Sequence, residues 1–107
     1  MYKIEYSPMA LEDLKKISKY IRDNWGENAE KRILKKITSD IRNLGQYPAL
    51  GAELGKMIDV PTKYRYILSE GNYIFYYLDS DRIRVVRVIN ELQDYIQQLF
   101  GDNLETN

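Results

Sequence analysis

Apolar and polar residues alternate along Tyr2-Lys3-Ile4-Glu5-Tyr6, the period of a half-buried strand. The period then lengthens. Leu11, Leu14, Ile17 and Ile21 recur every three or four residues and predict a helix from about Pro8 to Asn24 with one apolar stripe. Ser7 is placed to cap it, and Pro8 at the first helical position gives up no needed donor. Asn24-Trp25-Gly26 breaks the pattern before Ile33, Leu34, Ile37, Ile41 and Leu44 restore helical spacing. So short a connector between two amphipathic helices predicts an antiparallel hairpin. Gln46 to Thr62, with prolines at 48 and 61 and no periodicity, reads as a loop.

Three runs rich in aromatic and β-branched residues follow: Lys63 to Leu68, Tyr73 to Leu78 and Ile83 to Ile89. The polar breaks between them, Ser69-Glu70-Gly71-Asn72 and Asp79-Ser80-Asp81, are turn-length, so the runs predict an antiparallel meander. Asp94 to Phe100 is apolar at 95, 96, 99 and 100, which predicts a short helix packed by one face. The expected class is α+β, a helix hairpin on a small, mostly antiparallel four-stranded sheet in the order β-α-α-β-β-β-α. One domain is expected over residues 1–101, followed by a frayed tail at 102–107.

Composition narrows the chemistry. The 107 residues carry 16 basic and 16 acidic side chains, a formal net charge of zero. General coating of nucleic acid is therefore disfavoured, although a local basic groove is compatible with that balance. Cysteine is absent, which removes disulfides and thiolate metal sites and fits a reducing cytoplasm. Histidine is absent too, so catalysis would have to run on Lys, Arg, Tyr, Asp or Glu. No apolar run is long enough for a membrane span and no basic-then-apolar leader opens the chain; a soluble cytoplasmic protein is expected. No carboxylate cluster has metal-ligand spacing and no glycine-rich phosphate loop occurs, so neither metal nor cofactor is expected.

Four stretches in this order and spacing resemble the RelE/ParE superfamily of bacterial toxins. They are "YKIEYSPMALEDLKKISKYI" from Tyr2 to Ile21, "YPALG" at 47–51, "YRYILSEGNYIFYYLD" at 64–79 and "VRVINELQDYIQQLF" at 86–100. The resemblance implies a compact toxin neutralised by an antitoxin encoded beside it. Its ribosome-dependent members cut mRNA and its gyrase-directed members poison DNA topoisomerase. In the nuclease branch basic residues on the sheet bind phosphate and stabilise the transition state. Carried over by position, Arg65 and Arg87 are the candidate catalytic cations, and Tyr95, beside Asp94 at the family's catalytic edge, is a candidate acid. Lys63 and Arg84 are candidate substrate-binding residues, with all four cations expected on a concave face opposite the helices. The chain departs from the nuclease pattern at Ile74, Asn90, Leu92 and Gln93, where that branch carries an arginine, a histidine and two arginines.

Each candidate has a plainer account. The strand cations suit a solvated sheet face paired with Glu5 or Glu70. The tyrosines suit packing in a half-buried sheet as well as base stacking. Lysines of the helices fall at i,i+4 spacing from acids, as in Glu12 with Lys16 and Glu27 with Lys31. The apolar residues Tyr95, Leu99 and Phe100 of the short last helix are the expected antitoxin surface. The functions in view are a type II toxin acting by ribosome-dependent mRNA cleavage, one inhibiting gyrase, and a non-catalytic member acting as an antitoxin-binding module.

Overall fold

A computed structural model describes residues 1–101. The predicted tail at 102–107 lies outside them. In chain order the elements are β1 (Lys3–Tyr6), α1 (Pro8–Trp25), α2 (Glu27–Asn43), β2 (Ala52–Glu53), α3 (Leu54–Ile58), β3 (Arg65–Ser69), β4 (Asn72–Asp79), β5 (Arg82–Asn90) and α4 (Tyr95–Phe100). The Ser7 hydroxyl caps α1, accepting from the Ala10 N–H at 3.0 Å. A single residue, Gly26, links the two long helices. Its φ of 92° is open to glycine at little cost, and its N–H bonds Arg22 O at 2.9 Å before α2 begins. Arg22 reaches Glu30 across the hairpin at 3.1 Å, and the Ser18 hydroxyl donates to the same carboxylate.

The sheet is mixed and has five strands, in the order β1-β5-β4-β3-β2. The expected N-terminal strand and three-stranded meander are present, with β1 parallel to β5 and the meander antiparallel. The fifth strand is a correction. The segment read as a loop contains the two-residue β2 paired with β3 and the short α3, because Leu54 and Ile58 find an apolar surface on the sheet.

Both faces of the sheet are covered. On one, Ala10, Ile37, Ile41 and Leu44 of the hairpin pack on Ile74, Tyr76, Ile83, Val85 and Val88. On the other, Leu54 of α3 and Tyr95, Leu99 and Phe100 of α4 pack around Phe75 and Ile89. Two-sided burial explains why β4 carries the continuous run Ile74-Phe75-Tyr76, with all three side chains fully buried, in place of strict alternation. The face opposite the hairpin is therefore an aromatic layer under a lid, and the predicted open concave surface is corrected. Tyr73, Phe75 and Tyr95 stack there with centroids 5.0 to 5.6 Å apart.

A β-bulge alters the register of β5. Tyr76 pairs with Val85 and Phe75 with Arg87, leaving Val86 without a partner on β4. Without that extra residue Arg87 would share a face with Ile83 and Val85. The bulge instead turns Val88 toward the hairpin and Arg87 away from it.

Candidate functional site

The four candidate cations do not converge on one site. Arg65 pairs directly with Tyr76, so it stands on the hairpin side of the sheet. Its guanidinium donates to Gly51 O at 2.7 Å. The Tyr76 hydroxyl donates to Pro48 O at 2.7 Å and accepts from the Gly51 N–H at 2.9 Å. Burial raises the Tyr76 pKa, against the bond from Gly51 and the charge of Arg65, which keeps the phenol protonated. This is why the Pro-x-x-Gly loop has its sequence. A Cβ on Gly51 would lie 2.6 Å from the Tyr76 hydroxyl and 2.7 Å from Tyr66 O. Arg65 and Tyr76 thus clamp a loop, and the expected placement of Arg65 on the face opposite the helices is corrected.

Arg87 lies at the rim, beyond the end of β1. Its Nε and one terminal nitrogen donate to the two Asp13 carboxylate oxygens at 2.8 and 2.9 Å. It also reaches the backbone oxygen and Oε1 of Gln98 on α4, each at 3.2 Å. The pair is largely buried, with side chains 13% and 11% exposed. The bond to Asp13 raises the Arg87 pKa further, so its charge is permanent. Arg84 donates to Glu5 at 3.2 Å, the pairing that the plainer account names. Lys63 sits over the Tyr77 ring, 4.0 Å from its centroid, and Tyr77 pairs with Arg84. Lys63 is therefore brought beside Arg84 and lies on the face opposite Arg65, another correction.

Tyr95 packs half-buried in the aromatic layer. Its hydroxyl contacts only the Met57 sulfur of α3, at 3.9 Å, among the described residues. Burial, followed by the neighbouring Tyr73, Tyr66 and Asp94, raises its pKa. That direction makes it a weaker acid at neutral pH than a free phenol. Leu99 and Phe100, the other expected antitoxin contacts, are half-buried against the same layer, Phe100 tilted on Tyr64 with centroids 5.9 Å apart.

Sequence reasoning did not join Asp13 to Arg87, Met57 to Tyr95 or Gly51 to Tyr76, because no local pattern links residues that far apart in the chain. Nor did it find a concavity of about 1100 Å³ between the hairpin and the end of the sheet. The aromatics Tyr20 and Trp25 near the end of α1, which prove to be exposed, were its available signal. The helix pairs also shift: Glu12 meets Lys15 at 3.4 Å instead of Lys16, and no pair joins Glu27 to Lys31 among the described residues. No group of three or more metal-ligating side chains is gathered among the described residues.

Comparison with known proteins follows the fold. A family model described as the ParE toxin of the type II toxin-antitoxin system parDE matches residues 4–95. No curated protein sequence matches the chain. The structure is similar to a chain of the chromosomal ParDE toxin-antitoxin system from P. aeruginosa, with TM-score 0.71 and 18% identity over 84% of this chain and 96% of that one. It is also similar to a chain of the YoeB-YefM complex from Staphylococcus aureus, with TM-score 0.55 and 20% identity over 85% and 98%.

Proposed function

We propose a target and a partner for this chain on the premise that it belongs to the family of ParE toxins of type II toxin-antitoxin systems. The reading is growth inhibition by surface contact with DNA gyrase, with neutralisation by a cognate antitoxin. One observation carries it: each candidate sheet cation already has an intramolecular partner. Arg65 holds Gly51, Arg84 holds Glu5, Arg87 holds Asp13 and Lys63 covers Tyr77. A phosphate would have to break a bidentate, largely buried ion pair to reach Arg87, and removing one partner of such a pair costs about 3 kcal/mol. A contact inhibitor needs no such release. Supercoiling by purified gyrase should fall on adding the chain, while primer extension on a message should reveal no cut with or without ribosomes. Intact supercoiling together with ribosome-dependent cuts overturns the reading.

Ribosome-dependent cleavage is the second reading, supported by Lys63 and Arg84 flanking Tyr77 on one face. The antitoxin would contact α4, whose Tyr95, Leu99 and Phe100 remain partly accessible. Its affinity should fall at least about tenfold in a Leu99→Ala, Phe100→Ala variant that keeps its fold, a loss of roughly 1.4 kcal/mol. Unchanged affinity excludes α4.

A further inference from the structure

The concavity between the hairpin and the sheet end has two unlike walls. The helix wall carries Lys16 and Arg32 above an apolar floor of Ile17, Ile21 and Ile33. The opposing wall carries Glu70 from the β3–β4 turn and Leu92 beyond β5. Among the described residues neither the Lys16 nor the Arg32 side chain makes an ion pair or hydrogen bond, and the Glu70 carboxylate makes no ion pair within 4 Å, although the Lys36 charge lies near enough to act on it. The candidate cations of the sheet, by contrast, all have partners. At the mouth stand Tyr20 and Trp25, 60% and 63% exposed and in edge-to-face contact with centroids 5.6 Å apart. Leu92 is 91% exposed. One patch thus offers a projecting aromatic pair, an apolar hollow, unpaired positive charge on one wall and, on the other, a carboxylate held in no close ion pair.

An isologous contact requires those ingredients together, since the same surface must supply both members of every interaction. A two-fold axis that sets the helix wall of one copy against the sheet wall of another brings Lys16 and Arg32 to Glu70 twice. It also delivers Trp25 of each copy to the other's hollow. The chain's formal net charge of zero leaves no long-range repulsion against such an encounter. We infer that this groove is a self-association surface through which two copies of the chain form a two-fold dimer, with Trp25 as its anchor. Tryptophan is the residue type most often found at the energetic centre of interfaces. The inference is independent of whether gyrase or the ribosome is the target.

Trp25 is the single tryptophan, so tryptophan emission, excited selectively over the ten tyrosines, reports on this site alone. Sedimentation equilibrium of the purified full-length chain should return twice the 12.7 kDa chain mass at high concentration, with Trp25 emission moving to the red as dilution dissociates the dimer. Trp25→Ala, Arg32→Glu and Glu70→Lys should each weaken the dimer at least about tenfold while circular dichroism is unchanged. The Arg32→Glu, Glu70→Lys double variant, which exchanges the charges of the two walls, should recover most of that loss. A monomer at every concentration overturns the proposal and leaves the groove to a different partner. A dimer indifferent to all three substitutions overturns it as well, by placing the contact elsewhere.

Discussion

Arg87 grips Asp13 with two parallel hydrogen bonds of 2.8 and 2.9 Å, and the same carboxylate accepts the Val88 N–H at 2.9 Å. The three bonds close the edge of β5 where β1 has ended. The Ser7 hydroxyl closes it one step earlier by donating to Val86 O at 2.7 Å. The arginine expected from the sequence to be a catalytic cation is thereby part of the frame joining α1, β5 and α4.

Breaking that frame should cost stability first. Arg87→Ala or Asp13→Ala each leaves one largely buried charge without its partner, and about 3 kcal/mol is the expected loss in urea unfolding. The Asp13→Leu, Arg87→Met pair, which removes both charges, should lose less than either single change. If Arg87→Ala keeps its stability and growth inhibition disappears, Arg87 acts on the target directly and the structural assignment is wrong.

The loop clamp gives a second ranking. Tyr76→Phe removes a hydroxyl bonded to Pro48 O and to the Gly51 N–H, leaving both without that partner, at a cost of about 2 kcal/mol. Gly51→Ala should cost more. Its new Cβ meets the Tyr66 carbonyl at 2.7 Å, and backbone yields less readily than a side chain. Thermal unfolding of both variants checks the order, and a Gly51→Ala variant more stable than Tyr76→Phe contradicts it.

Tyr95 separates packing from chemistry. Tyr95→Phe keeps the ring among Tyr73 and Phe75 and removes only a hydroxyl whose partner is the Met57 sulfur. Stability should change by less than about 0.5 kcal/mol and growth inhibition should persist. Loss of inhibition in this variant would show that the hydroxyl takes part in the reaction.

Acid sensitivity should trace in part to Asp40. Burial alone would raise its pKa, but hydrogen bonds from Lys36 at 2.7 Å and from the buried Ser69 hydroxyl at 2.6 Å, with the Lys36 charge, bring it below the usual value. A lowered folded pKa contributes stability that is fully present above the unfolded pKa of about 3.9 and is lost as pH falls through the folded value. The urea midpoint of the native chain should therefore exceed that of Asp40→Asn at neutral pH, with the gap closing below about pH 4. A gap that does not change between pH 7 and pH 3 would remove Asp40 as the cause.

Local chemistry determined most of the fold. Strand and helix periods, Ser7 with Pro8 and the turn-length polar breaks place β1, α1, α2 and the meander, because each signal lies within a few residues of the structure it produces. The short β2 and α3 were invisible because they exist through contact with β3 and the aromatic layer, not through a period of their own. Which cations share a face was also undecidable in the sequence. A single extra residue at Val86 reverses the alternation of β5, and only the pairing of β5 with β4 shows where that residue sits. The sequence alone therefore determined that Arg65 and Arg87 are present at strand positions. Tertiary structure decided that Arg65 holds Gly51 and Arg87 holds Asp13, since a charge is claimed by whichever partner the fold brings within hydrogen-bonding distance.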